Sequence, residues 1–567
     1  MRPRYFLKFA AVFLIDSSFS YAQDLTKIGR SNALKISGGV SASQIFYASS
    51  GIADRRSPYS YFLTGNLNLN IYEWNVPVSF MLSNQNISVQ QPFNQYSLHP
   101  TYRWITGHVG YSSMTFSPYT LNGHIFLGAG ADATPNEKWK ISAMYGRLLK
   151  AVKPDTTNSG NQPAFEQWGF GLKTHYGDKL KFLDFILFKA KDKTSSLPYV
   201  PEKQNVLPQE NLVLSLGGGM TILNHLQVKY EIANSAITSD TRAEGNKSNN
   251  LFQWTGSLFT PKVSTSYYKA MKGAINYNSR GFLIGVGYER IDPQYKTLGA
   301  YFFNNDLESI TLNGNAALAG GKVNVGVSVG SQHDNLDNTK ISALKRTITS
   351  LNVSFAPSQR LNISSSYSNF LTYTNIRSQF LKINQLTTYD NLDTLNYTQL
   401  SQNANANINY IINTSKQRRE SLNVNISYMK ASDTQANVPQ NSGTTFVNIN
   451  TSYSINFVPA KLTLTPSFNL SKSTTLSASS LTLGPSITIA KSSNDKKFRG
   501  SFTANGNRSY TESILTTQII TLRLSGGYAV QKKHNLNISL VALNRSGAGL
   551  STFSEFTGTV GYAYSFH

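Results

Sequence analysis

From residue 553 to residue 567, apolar and polar side chains alternate with a period of two, which a strand satisfies and a helix does not. Phe556, Gly558, Val560, Tyr562, Tyr564 and Phe566 share one face, and Glu555, Thr557, Thr559, Gly561, Ala563, Ser565 and His567 the other. The first face suits hydrocarbon and the interfacial zone where aromatic rings settle, and the second suits water. The same division recurs along the chain. Leu67, Leu69 and Ile71 alternate with Asn66, Asn68 and Asn70, and Val323, Val325, Val327 and Val329 with Lys322, Asn324, Gly326 and Ser328. Ala404, Ala406, Ile408 and Tyr410 alternate with four asparagines, Asn403, Asn405, Asn407 and Asn409; Val447, Ile449, Tyr453 and Ile455 oppose Asn448, Asn450, Ser452 and Ser454. A soluble sandwich also alternates, but it places Lys and Glu on its outer face. Here the polar face is Asn, Ser, Thr and Gly, which suits a crowded, wet interior.

Thr559-x-Gly561-x-x-Tyr564-x-Phe566 resembles the C-terminal signal by which Gram-negative outer-membrane β-barrel proteins are recognised for assembly. The resemblance covers only this terminal motif, and His567 follows where the family usually stops at the aromatic. It implies that Thr559, Gly561, Tyr564 and Phe566 form an assembly signal read by the barrel-assembly machinery. It also implies a place in the cell outer membrane, among lipid and lipopolysaccharide. The opposite terminus agrees: Arg2, Arg4 and Lys8 precede an apolar run over 9–15, and Ser20 and Ala22 stand where a signal peptidase reads small residues. That run is too short to cross a bilayer as a helix. The expected division is a cleaved signal peptide over 1–22 and a single barrel domain over 23–567. Tyr21-Ala22-Gln23 and the Asn/Ser/Tyr-rich texture that follows resemble exported proteins of the Bacteroidota.

Composition narrows the class. The 567 residues include no Cys, so disulfides and thiolate metal sites are excluded. Charged residues make up 14% and aromatic residues 12%, a poor balance for a soluble surface, yet no stretch after residue 22 reads as a membrane-spanning helix. A chain that is polar on average and built of alternating strands fits a barrel with a wet interior. The formal net charge of +23 invites a nucleic-acid reading. Export and the scatter of the basic residues argue against it; lipopolysaccharide phosphates, or a lumen that favours anions, fit better.

The connections can be read backwards from the C-terminus, where the last strand ends in the periplasm. Short turns are expected at 531–534, 493–496, 458–460, 414–417, 357–358, 319–321, 280, 223–224, 177–179 and 135–137, at every second junction. Longer junctions lie between them at 433–443, 374–396, 333–341, 292–304, 239–260, 193–209 and 152–163. Short periplasmic turns against long outer loops are the asymmetry of an outer-membrane barrel. The reading gives a large antiparallel all-β transmembrane barrel of about 26 strands, in the range 22–28, with residues 94–104 deciding whether the number is about 26 or about 24. So wide a lumen calls for a filling. The loops 239–260 and 374–396 are the candidates, carrying Phe252, Trp254, Leu258 and Phe259, and Phe380, Leu381, Leu386 and Tyr389. They are expected to fold inward or to serve as a docking surface. Only residues 23–34 precede the first strand, too few for an N-terminal plug.

The densest set of reactive residue types lies over 93–132, with His99, His108, Ser112, Ser113, Asn122, His124 and Asp132. His108 and Ser112 share a strand face but stand about 13 Å apart along it, too far for a nucleophile and its base. No Gly-x-Ser-x-Gly motif and no zinc-site spacing accompanies them. The reading is therefore not an enzyme and needs no cofactor; His108, His124 and Asn122 are expected as lumen or rim hydrogen-bonding groups. Two functions remain: a passive, porin-like channel for small polar or anionic solutes, or a barrel whose outer loops anchor or assemble an exported surface protein.

Overall fold

The computed structural model describes residues 34–84, 95–154, 163–246, 258–339, 345–369, 400–432, 434–435, 438–439, 444–475, 477–495, 497–530, 533–547 and 550–566. The signal segment 1–22, its cleavage point, and Phe252, Trp254, Phe380 and Tyr389 lie outside these residues.

One sheet closes on itself. It contains 27 hydrogen-bonded segments, and two of them, Gln95–Leu98 and Thr101–Tyr102, are halves of one interrupted strand, so the barrel has 26 strands. Beginning at the seam these are β1 (Leu34–Ser50), β2 (Tyr59–Ile71), β3 (Trp74–Ser83) and the interrupted β4. There follow β5 (Ile105–Thr115), β6 (Asn122–Ala133), β7 (Trp139–Leu149), β8 (Glu166–Gly177), β9 (Lys181–Lys193), β10 (Glu210–Ile222) and β11 (Leu226–Thr238). Next come β12 (Thr265–Ser279), β13 (Phe282–Ile291), β14 (Leu307–Leu318), β15 (Val323–His333), β16 (Lys345–Ser358), β17 (Leu361–Ser368), β18 (Leu400–Thr414) and β19 (Arg418–Ser432). The last seven are β20 (Thr444–Phe457), β21 (Leu462–Thr474), β22 (Ser479–Ser492), β23 (Phe498–Thr511), β24 (Ile514–Val530), β25 (His534–Gly547) and β26 (Leu550–Phe566).

The stretch 94–104 holds a strand over Gln95–Leu98 and Thr101–Tyr102, broken at His99 and Pro100 because proline has no N–H to give the ladder. The chain repairs the gap with His99 N–H to Pro77 O at 2.9 Å and Gly107 N–H to Pro100 O at 2.8 Å. Antiparallel closure pairs β1 with β26, setting Val40 opposite Tyr564, Ser43 opposite Gly561 and Gly38 opposite Phe566. Both ends of the barrel chain therefore lie at one rim, and every turn expected to be short lies at that rim too.

The alternation sorts as the sequence reading requires. Phe556, Val560, Tyr562, Val327, Val329 and Tyr410 are exposed on the outer wall, and the asparagine face of β18 lines the lumen. Aromatic pairs collect at the two rims. Trp74 stacks on Tyr102 at 4.9 Å, and Trp139 and Tyr176 meet at 4.8 Å, near the rim that holds the termini. Phe46 and Tyr59 at 5.5 Å, and Tyr145 and Trp168 at 5.4 Å, lie toward the distal rim. An apolar band between two aromatic girdles is the exterior of a barrel standing in lipid.

Candidate functional site in the barrel lumen

The interior has two unlike sectors. Along β5 to β13 the inward faces carry an apolar cluster: Met114, Phe126, Met144, Leu148, Ile186, Phe188, Val213, Ala233, Ala270 and Ile291 are buried together. Two distal connections, 116–121 and 292–306, turn into the lumen and cover this face, bringing Phe116, Tyr119, Leu121, Tyr295 and Leu298 into the same cluster. Their backbones meet there. Asn122 N–H donates to Gly299 O at 2.9 Å, the Thr297 hydroxyl to Thr120 O at 2.7 Å, and the Tyr295 hydroxyl to Tyr119 O at 2.8 Å. Leu298 N–H donates to Asn211 Oδ1 at 3.1 Å, which pins the inserted segment to β10. Tyr119 gives its hydroxyl to Glu289 Oε1 at 2.6 Å. Burial, with Glu289 beside it, holds the Tyr119 phenol well above the usual phenol range, so it stays a donor.

This inward plug is not the one the sequence nominated. In the connection 239–264, Leu258 and Phe259 lie against the outside of the barrel. Phe259 packs there on the outward-facing Leu212, Leu214 and Ala236, flanked by Leu187 and Tyr267, and Lys189 and Lys191 pair with Glu210 at 2.9 Å alongside. Of the two placements expected for this connection, inward folding or a docking surface, Phe259 does not take the inward one; it is a loop contact on the outer wall. The physical reason is register: Leu212 and Val213 are neighbours in β10 and both fully buried, one under Phe259 outside and one under the plug inside.

The histidines of 93–132 do line the lumen. The Ser142 hydroxyl donates to Asp132 Oδ1 at 2.5 Å, and Asp132 Oδ2 lies 2.8 Å from His108 Nε2. His108 Nδ1 lies 2.9 Å from His99 Nδ1. With Nε2–H given to the carboxylate, His108 Nδ1 accepts from His99 Nδ1–H. The chain of donors ends on Asp132, so both ring nitrogens of His108 are engaged. Ser112 faces the same lumen, but its buried hydroxyl has no hydrogen-bond partner among the described residues, so no nucleophile–base pair forms with His108. His124 stacks on Tyr301 at 4.0 Å and donates through Nδ1 to Ile125 O at 2.8 Å; with Asn122 it anchors the plug. Among the described residues no group of three metal-ligating acids and histidines occurs.

The second sector, from β15 through β26 to β3, has another texture. A concavity shared by β12 to β18 is lined by Asn278, Asn315, Asn324, Asn352, Asn405 and Asn407 together with serines. Beyond it, β19 to β26 and β1 enclose a larger concavity of about 1120 Å³, where Arg419, Lys461, Arg499 and Arg523 gather among serines, threonines and glycines.

No protein-family model matches the chain, and no curated protein matches it. Solved structures similar to it include the P pilus usher (PapC) translocation pore, at 10% identity and a TM-score of 0.36 over 94% of this chain and 100% of that one. A mutant ferric enterobactin receptor, PfeA, from Pseudomonas aeruginosa matches at 9% identity and a TM-score of 0.43 over 94% of this chain and 80% of its own. OccAB2 from Acinetobacter baumannii matches at 6% identity and a TM-score of 0.29, over 68% of this chain and 98% of its own. The assignment rests on the barrel's own geometry. Closure without an edge, an apolar band and paired aromatic girdles define an outer-membrane β-barrel, and the outer membrane is where the protein resides.

Proposed function

We propose that the protein is a passive, porin-like channel through which small polar or anionic solutes cross the outer membrane. The observation that carries this reading is the division of the lumen: one sector is filled by the two inserted connections, and the other presents amides, hydroxyls and basic groups to water. Hydrogen-bonding walls of this kind replace part of a solute's hydration shell without holding it tightly. The route runs along β15 to β26 and back to β3, beside the plug. Planar-bilayer recording with purified, detergent-folded protein tests it. Discrete conductance steps are expected, and a folded barrel that passes no current overturns the channel.

A barrel that anchors or assembles an exported surface protein through its outer loops is the second reading. The connection 239–264 favours it by placing Phe259 on the outer wall rather than in the lumen. Crosslinking in cells followed by purification would recover a single exported partner in that case. On either reading the terminal strand is recognised by the barrel-assembly machinery through Thr559, Gly561, Tyr564 and Phe566, and lipopolysaccharide surrounds the distal rim.

A further inference from the structure

Charge is segregated across the lumen. In the filled sector each inward acid of the strands has a local partner: Asp132 with His108, Asp184 with His175 at 2.6 Å, Asp192 with Gln167 at 2.9 Å, Glu231 with Ser215 at 2.9 Å and Glu289 with Tyr119. In the strands from β15 to β26 only two residues are acidic, Glu420 and Glu555. Glu420 faces outward, covered by Arg418 and Tyr453. Glu555 faces inward but accepts the Tyr47 hydroxyl at 2.6 Å and lies 3.8 Å from Arg55.

The large concavity between β19 and β1 therefore gathers basic groups with no acid in its lining. Arg419 lies between Arg418 and Glu420 and takes the opposite face from Glu420; Arg499 follows the outward Phe498, and Arg523 lies between the outward Leu522 and Leu524. Parity turns all three into the lumen. Arg419 and Arg499 are exposed and have no hydrogen-bond or ion-pair partner among the described residues. Among the described residues Lys461 gives its ammonium only to the backbone carbonyls of Ser493 and Asn494, the latter at 2.6 Å, so no acid there cancels its charge. Arg56 reaches the same concavity from the connection between β1 and β2. Arg499 stands opposite Gly527, four residues from Arg523, so the two guanidinium stems start about 14 Å apart, a span that two arginine side chains can close around one small ligand.

We propose that this wall is a binding site for small multivalent oxyanions, solutes that carry two or more phosphate or carboxylate groups. Three guanidinium groups offer planar forks that match such oxygens two at a time, and a wall without acids, backed by low-dielectric surroundings, concentrates negative charge in the wet lumen. The site rests on the channel reading only for the direction in which its ligand travels; binding does not require it.

The experiment therefore measures binding and current separately. Inorganic pyrophosphate and citrate, each used alone, are titrated calorimetrically into the full chain folded in detergent, with the heat-dependent electrophoretic shift as the check of folding. Wild type binds at least one of the two, and the more tightly bound probe identifies the preferred oxyanion. The triple variant Arg419→Gln, Arg499→Gln, Arg523→Gln binds about tenfold or more weakly, while the triple change to Lys, which keeps the charge and loses the fork, falls between it and wild type. Arg499→Gln alone, at an exposed position, gives a smaller loss in the same direction and covers the case in which the triple variant does not fold. A folded Gln variant that binds within twofold of wild type, or a wild type that binds neither probe, overturns the site. In bilayers the wild type prefers chloride over potassium and the triple Gln variant loses that preference. Binding that the Gln changes abolish in a barrel that passes no current leaves the site standing and removes the channel; current without binding does the reverse.

Discussion

At the scale of single residues, the plug depends on an approach that only glycine permits. A Cβ on Gly299 would stand 2.6 Å from Thr120 O and 2.8 Å from the Phe188 ring, with backbone on one side and a fully buried aromatic on the other. Neither can yield without moving the connection 292–306. Gly299→Val is expected to cost about 1–3 kcal/mol through overpacking and to unseat the plug, raising the single-channel conductance. Thermal unfolding in detergent and bilayer recording check the two effects, and an unchanged current would show that the connection does not narrow the route. Nothing in the sequence marks this glycine among the 40 in the chain, because its requirement is set by Phe188, more than a hundred residues away.

At the scale of elements, strands and turns were legible and the destinations of the connections were not. Alternation fixes which side chains face lipid once the barrel exists, and Asn403 to Tyr410 sort as their parity demands. The strand number depended on one ambiguous stretch, where Pro100 interrupts the ladder without ending the strand. Apolar residues in a connection announce burial without naming the wall that buries them, so Phe259 and Tyr295 read alike in the sequence. The Tyr295-Lys296-Thr297-Leu298 run, with Tyr301, Phe302 and Phe303 after it, carried the same signal as the stretches nominated instead. Two substitutions separate the walls. Phe188→Ala removes a ring from the inner cluster and is expected to cost about 3–5 kcal/mol and to raise conductance. Phe259→Ala loosens only the outer connection, making 239–264 more susceptible to protease added to intact cells while leaving conductance as it was. Equal effects of the two changes on current would contradict the placement of Phe259 outside.

At the scale of the whole molecule, the barrel presents one solvent to each face, and the absence of Cys makes that directly measurable. Single cysteines placed at Asn407 and Ser525, both lining the lumen, are expected to react with a charged, water-soluble thiol reagent in the membrane-embedded protein. Cysteines at Val327 or Ile538, exposed on the outer wall, are expected to be shielded by lipid and to react only after detergent extraction. A reversal of this order would mean that the wall is turned inside out, and both the channel and the oxyanion site would fall with it.

The distal rim is lopsided. Over the filled sector the connections are long, and that joining β11 to β12 runs from residue 239 to 264; over β21 to β26 they shrink to 475–478, 512–513 and 548–549. An arriving ion thus meets a low sill there, and the sill stands above the arginine-bearing wall. Traffic from outside would be funnelled by the shape of the threshold to the side whose field already draws it.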